Sequence, residues 1–390
     1  IMVQQMINMV RGRIGALQDA KLNRHSNVWR QGKTRSVQLP GKEDARLDEG
    51  LLAVMTLNLQ YYASFPKDEA QGVERLREAI DAESLPDVIC VQEGIAGRDV
   101  LSTLGYDLVV CSGHTGVAQS VRDMVYSDEC TLKACDPVVH DELLCNQIYL
   151  RRGSCWEEVD QGVEQISSNH ELQGGEGRAQ GKLAVRSVVW AKLRKIGGDS
   201  ADVFLLNTHI TGGRFEDQYF TQQLCRERQL QPQRVMSLFE ERATGDNVGI
   251  LIGDFNATSQ YRENGAMQKY YQFSIVNSAG VKADVSSWND AQESRVEERF
   301  AQYMVSPFEA IRERGWTFAY GEEIGISSAF GHLIDHMATS RQVEVVSTKL
   351  TYLTNQKIGQ QPKDTELPVT DHNAVTTVFS LARRVPARKG

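Results

Sequence analysis

The sequence predicts an α/β fold in which two mixed β-sheets pack together with helices outside. Three observations point to it. Short apolar runs bounded by glycine, such as Val248-Gly249-Ile250-Leu251-Ile252, read as strands buried on both faces. Amphipathic stretches such as Asp68 to Glu83, with Val73, Leu76 and Ile80 facing inward, read as helices between the strands. Several strand pairs are joined by turns, so the sheets are mixed rather than purely parallel.

In chain order, residues 1–50 read as a basic arm. Val3, Ile7, Val10, Ile14 and Leu17 make an apolar seam at helical spacing, and residues 23–50 read as a polar linker. The seam has three readings. It is a helix packed on its own domain, a partner-docking or membrane-surface helix, or a piece of an Arg-rich, acid-poor organellar targeting sequence. Strands then follow at Leu51 to Leu59, Asp87 to Glu93 and Tyr106 to Cys111, with the Asp68–Glu83 helix after the first. Residues 113–175 carry one readable strand, Asn146 to Leu150, before a Gly-rich loop at 174–181. Val185 to Leu193 and Val203 to Asn207 read as a hairpin, Gln218 to Arg242 as a long helix, and Val248 to Ile252 as a strand. Residues 257–330 form a helical, loop-rich insertion, with a helix over Glu309 to Arg314 stopped by Gly315. Strands at His332 to Thr339, Val343 to Leu350 and Ala374 to Phe379 complete a domain over 51–382. A basic tail over 383–390 ends the chain.

Charge is unevenly spread. Residues 1–42 carry eight Lys or Arg and a single acid, Asp19, and residues 383–390 carry Arg383, Arg384, Arg388 and Lys389 without an acid. The chain nevertheless has a net charge of −8, so the body between is strongly acidic. Such a body repels polyanions and disfavours generic nucleic-acid coating, while the arm suits a protein partner or an anionic surface. No apolar run approaches the roughly 20 residues that span a bilayer. A signal-peptide pattern is also lacking, so an intracellular protein is expected, with mitochondrion or plastid suggested by the arm. The seven cysteines are odd in number and contain no Cys-x-x-Cys pair. Reduced thiols in a reducing compartment are the expectation, and the paired close ligands of a zinc site are missing.

Polar residues recur where apolar strands end: Asn58, Glu93, His209, Asp254 with Asn256, Asp335, and Asp371-His372 before the last strand. Each alone reads most simply as a turn cap or a hydrogen-bonded side chain. Gathered at one edge, the four acids would repel one another without a counter-ion. Oxygen donors without a Cys-rich set favour Mg2+ or Mn2+ over zinc. An anionic Asp254 and a neutral Asn256 facing one spot, as an extended chain would place them, suit a cation beside a phosphate oxygen.

Gln92-Glu93, Asn207-Thr208-His209, Gly253-Asp254-Phe255-Asn256, Ile334-Asp335-His336 and Thr370-Asp371-His372-Asn373 fall in the order and rough spacing of known motifs. They resemble those of the endonuclease/exonuclease/phosphatase superfamily, over residues 51–381. That resemblance implies a deoxyribonuclease I-like, four-layer sandwich of two mixed sheets flanked by helices. It implies a metal-dependent hydrolase of phosphodiesters or phosphomonoesters. Glu93 would be the principal metal ligand, with Asn58 beside it and Asp371 a further ligand. Asp254 would orient or deprotonate the attacking water, and Asn256 would hold a phosphate oxygen. His372 would touch the scissile phosphate, oriented by Asp335, and His209 would be a second catalytic histidine.

Some residues depart from that pattern. Nothing matches the glutamate that supports the first histidine in the deoxyribonuclease branch. His336 stands where an aromatic residue is common and reads as a sheet residue. Arg186 reads as structural on its strand, while Arg214, in the loop after His209, is a candidate phosphate contact. The acidic body favours a small phosphoester or lipid headgroup over duplex DNA. The expected form is a monomeric catalytic domain, with or without a larger complex around it. The rival reading is a structural subunit of a larger assembly, docked through its N-terminal arm.

Overall fold

The computed structural model describes residues 50–62, 65, 68–81, 85–113, 144–167, 171–172, 181–182, 186–197, 201–212, 218–258, 290–328, 333–354 and 369–381. The N-terminal arm, Arg214, most of the Gly-rich loop, residues 259–289 of the insertion and the basic tail lie outside them. The elements run β1 (Leu51–Asn58), α1 (Glu69–Asp81), β2 (Val88–Ile95), β3 (Tyr106–Cys111), β4 (Leu144–Arg151), β5 (Trp156–Gln165), β6 (Glu171–Leu172), β7 (Gly181–Lys182), β8 (Ser187–Lys195) and β9 (Val203–His209). They continue with α2 (Gln218–Arg242), β10 (Val248–Asp254), α3 (Asp290–Glu313), β11 (Thr317–Phe318), β12 (Asp335–Thr339), β13 (Glu344–Thr351) and β14 (Ala374–Ser380).

Two six-stranded sheets result, ordered β13-β14-β1-β2-β4-β3 and β11-β12-β10-β9-β8-β5. Both follow one plan. A single parallel pair, β1 with β2 or β9 with β10, lies at the centre, and every other neighbour is antiparallel. The strands of the parallel pairs are buried on both faces, which is why they read as continuous apolar runs.

Three apolar clusters separate four layers. Leu52, Val54, Val88, Val189, Leu205, Ile250 and Met337 pack between the sheets. Leu76 and Ile80 of α1 cover the outer face of the first sheet with Met55, Ile89 and Tyr149. Val235, Met236 and Phe239 of α2 and Phe308 and Ile311 of α3 cover the second with Phe204 and Leu251. The predicted sandwich flanked by helices is therefore the observed one.

Local signals explain the boundaries. Asp68 Oδ1 accepts the Ala70 amide at 3.0 Å, so Asp68 caps α1 rather than beginning it. Gly315, at φ +75°, closes α3 as expected, with the Trp316 amide reaching back to Ile311 O at 3.3 Å. β5 escaped the sequence reading because it is an edge strand of mostly exposed residues, four of them acidic, with no apolar alternation. Its carboxylates blunt a sheet edge. Among the described residues no helix is long and apolar enough to cross a membrane.

A buried polar bridge joins the sheets. Gln92 Nε2 donates to Asn207 Oδ1 at 2.6 Å, and Asn207 Nδ2 donates to Val91 O and Gln147 O at 2.8 and 2.9 Å. Thr56 Oγ1 donates to Gln92 Oε1 at 3.1 Å. Every polar atom of that pair of amides is engaged, as burial requires, and the bridge fixes one sheet against the other next to Glu93 and His209.

Candidate active site

Register brings the strand-end residues together. The parallel pairing of β9 with β10 sets His209 beside Asp254, and the antiparallel pairing of β10 with β12 sets Asp335 on its other side. Asn58 ends β1 beside Gln92. Asp371 and His372 lie in the turn before β14, where His372 forms a bridge with Ser328. The site thus sits at the carboxyl ends of both central parallel pairs.

Two departures from regular strand geometry aim its side chains. β2 carries an irregularity between Val91 and Gly94, and Glu93 adopts φ +50° there. Gln92 turns to the inter-sheet bridge, while Glu93 turns to Asn58 Nδ2 at 3.3 Å and His209 Nδ1 at 3.8 Å. After Asp254 the chain leaves the strand, and Asn256 adopts φ +48°. Asn256 therefore meets Asp254 through a turn, its amide donating to Asp254 Oδ1 at 2.7 Å, and not through the extended-chain alternation the sequence suggested. Left-handed backbone at two non-glycine residues is strain that persists only where the surroundings hold it.

At Asn256 the holder is Arg228. Its guanidinium, fully buried on α2, donates to the carbonyls of Thr211, Phe255, Asn256 and Tyr303. It also lies 3.9 Å over the Tyr303 ring of α3. Gly253 permits the close approach of β9: at φ +144°, a Cβ there would stand 1.7 Å from Thr208 O.

Asp254 is the centre of the site. Asn58 Nδ2 donates to its Oδ2 at 2.9 Å, His209 Nε2 lies 3.5 Å from the same oxygen, and His372 Nε2 lies 3.8 Å from it. His372 Nδ1 pairs with Asp335 Oδ2 at 2.9 Å, and its Nε2 is 3.8 Å from Asp371 Oδ1. Ser327 Oγ accepts the Ile334 and Asp335 amides, fixing the start of β12.

Burial first, and then the neighbouring Asp335 charge, push the Asp254 carboxyl up to about 7. Burial opposes charge on His372, but Asp335, with Asp254 and Asp371, outweighs it and holds the imidazole well above its usual range. Burial and the Arg186 charge hold His209 well below it. The two histidines therefore divide into a cation and a neutral ring.

Two groups of side chains offer donor atoms within 4.8 Å of one another: Glu93 with His209 and Asp254, and Asp254 with Asp335 and His372. The second already contains its own counter-charge in His372. The first combines two carboxylates with a neutral imidazole, and Glu93, with 21% of its side chain exposed, opens it to solvent. A hard divalent cation fits there. Asp371 belongs to neither group, although its buried Oδ1 has no hydrogen-bond partner among the described residues. Asn58 presents its amide nitrogen to the carboxylates, and its Oδ1 accepts the Gln60 amide at 2.8 Å.

Arg186 lies just before β8. Its Nη1 stands 2.9 Å from His209 Nδ1. Glu93 Oε1 faces the same nitrogen at 3.8 Å. His336 is structural as expected: buried among Phe255, Phe308 and Tyr320, it faces Ala257 O at 2.9 Å, and burial pushes it down to about 4.

No family model matches the chain, and no curated protein matches it. Among solved structures it is similar to an endonuclease/exonuclease/phosphatase from Bacteroides vulgatus, at 16% identity and a TM-score of 0.48, over 85% of this chain and 99% of that one. It is similar to truncated Caenorhabditis elegans TDP2, at 14% identity and 0.45, over 85% and 97%. It is also similar to the human Nocturnin catalytic domain with bound sulfate, at 14% and 0.47, over 85% and 94%.

Proposed function

We propose that this chain is a divalent-metal-dependent phosphoesterase. The observation that carries the reading is the position of Asp254, one carboxylate oxygen of which faces Asn58, His209 and His372 together. A Mg2+ or Mn2+ ion held chiefly by Glu93 would supply charge to offset that of a phosphate.

The chain's own residues do the rest. Asp254, with its Oδ1 held by the Asn256 amide and its Oδ2 by Asn58, orients a water and accepts its proton. A base titrating near neutrality is suited to that task. His372, kept cationic by Asp335, donates to a non-bridging phosphate oxygen or to the departing oxygen. The neutral His209 and the Asn256 amide, 2.9 Å apart, offer further polar contacts to the phosphate. Asp371 and Arg214 stand as proposed auxiliary contacts. The acidic body favours a small phosphoester or a lipid headgroup as substrate over duplex DNA. The rival reading, a subunit docked through residues 1–42, depends on a segment outside the described residues.

The test is hydrolysis of bis(p-nitrophenyl) phosphate and p-nitrophenyl phosphate with Mg2+ or Mn2+, compared with EDTA and with Asp254→Asn and His372→Gln. Metal-dependent turnover lost in both variants is expected. A wild-type chain inert towards both esters, or turnover equal in both variants, overturns the reading.

A further inference from the structure

Cys111, at the end of β3, and Cys145, at the start of β4, lie on neighbouring strands and carry free thiols. Cys111 pairs in register with Gln147, so Cys145, two residues away, projects to the same face. The two thiols are near enough that each shifts the titration of the other. Cys111 Sγ is also approached by two N–H donors, the Gly113 amide at 3.4 Å and Gln147 Nε2 at 3.8 Å. Two N–H donors on one sulfur favour its anionic form, the form that reacts. The thiol contact, with these amide donors, draws Cys111 down to about 7 despite burial, whereas burial pushes Cys145 well up. Cys111 is half-buried and Cys145 is buried. One sulfur is thus reactive and reachable, and the other is protected behind it.

We propose that Cys111 and Cys145 form a hydroperoxide-reactive dithiol that closes to a disulfide beside the Glu93 bulge. The Cys111 thiolate attacks the peroxide oxygen. The O–O bond breaks, Cys111 becomes a sulfenic acid, and the released oxyanion takes a proton to leave as water or an alcohol. The Cys145 sulfur then attacks the sulfenic sulfur. An S–S bond forms, and the hydroxyl leaves as water with the Cys145 proton. Two thiols lose two hydrogens, and the peroxide accepts two electrons. A thiol reductant reverses the bond by exchange.

The location gives the bond a consequence. Cys145 pairs in register with Gly94, the residue after Glu93. Gln147, whose Nε2 faces Cys111, fills the space at Gly94 with its Oε1, 2.4 Å from where a Cβ would stand. Joining the sulfurs removes the thiolate that Gln147 faces and alters the contact that seats the bulge. This effect on hydrolysis rests on the proposed phosphoesterase, whereas formation of the disulfide does not.

The experiment treats the reduced full chain with hydrogen peroxide, quenches with N-ethylmaleimide and maps peptides by mass. Before oxidation, Cys111 is expected to react with iodoacetamide at pH 7 at least about tenfold faster than Cys145. After oxidation, the Cys111 and Cys145 peptides are expected joined and lighter by two hydrogens. Cys145→Ser stops at a dimedone-trappable sulfenic acid on Cys111, and Cys111→Ser leaves Cys145 reduced. The mapping is read on variants whose far-ultraviolet circular dichroism matches wild type. A Cys111 that survives peroxide as a thiol, one linked instead to Cys130 or Cys135, or an unaltered product in Cys145→Ser overturns the proposal. Turnover of an aryl phosphate before and after oxidation then reads the effect at Glu93 separately.

Discussion

His372 Nδ1 stands 2.9 Å from Asp335 Oδ2, while the other oxygen of that carboxylate is buried without a hydrogen-bond partner among the described residues. The pair is thus tuned by charge more than by a saturated network. Asp335 raises the imidazole, so His372 carries its proton at neutral pH and loses it only as pH rises through the elevated value. If His372 is the proton donor, the rate falls on that alkaline limb. Asp335→Asn keeps the shape and removes the charge. The limb should move to lower pH by about one unit or more, with kcat reduced roughly a hundredfold. A pH–rate profile with an unmoved alkaline limb would sink the assignment.

Asp254 sets activity against stability. Its carboxyl is raised from the ordinary 3.8 to about 7, so the folded chain binds a proton in that window that the unfolded chain has released. The sign follows: stability from this group is greatest at low pH and is lost as pH rises through the folded value. In EDTA, Asp254→Asn should therefore raise Tm at pH 8 relative to wild type, and much less at pH 5. The same substitution should lower turnover by roughly a thousandfold. A Tm difference that does not change between pH 5 and pH 8 refutes the reading of a strained buried carboxylate.

Glu93 should carry the metal response. A ligand that binds only the folded chain stabilises it by about 2.7 kcal/mol at a hundredfold excess over its Kd. Mg2+ or Mn2+ should raise the Tm of wild type, and Glu93→Gln should abolish most of that rise while folding normally without metal. An equal rise in both proteins places the ion elsewhere.

Gly253 leaves no room for a side chain. Any Cβ there meets the Thr208 carbonyl at 1.7 Å, and that carbonyl belongs to the strand carrying His209. Gly253→Ala must part β9 from β10, at a cost above about 4 kcal/mol. Chemical denaturation should show that loss, or the variant should fail to fold. A loss under about 1 kcal/mol would contradict the observed approach.

What the sequence disclosed and what it hid follow from the same physics. β1, β2, β9 and β10 were legible because strands buried on both faces must be apolar throughout, and a carboxylate at the end of such a run stands out. The convergence of Glu93, His209, Asp254, Asp335 and His372 came from motif order, which periodicity alone does not give. Hidden were features fixed by tertiary contact. At the turn and at the bulge the left-handed residue is Asn256 or Glu93 and not the glycine nearby, so residue type does not announce it. Arg186 reads as structural on its strand, and only the fold brings His209 beside it, just before that strand begins. β5 exposes one edge and most of its side chains, so it carries no apolar rhythm.

Arg228 is the clearest hidden residue, and it yields the last test. A charged residue within a polar helix reads as surface, yet this guanidinium is fully buried and satisfied by four backbone carbonyls drawn from three segments. Two of them, on Phe255 and Asn256, form the turn that aims the Asn256 amide; the Tyr303 carbonyl comes from α3. Arg228→Met leaves these carbonyls unpaired in the interior, at about 1–3 kcal/mol for each one water cannot reach. Arg228→Lys keeps the charge but lacks the planar fork that spans several acceptors. Arg228 touches no reacting atom, so it is a positioning residue, and stability alone does not test that role. In Arg228→Lys, measured where the variant remains folded, kcat should fall roughly tenfold with little change in KM, because the misaimed group acts on the reaction more than on binding. A variant that loses Tm yet keeps wild-type kcat would make Arg228 a packing residue only.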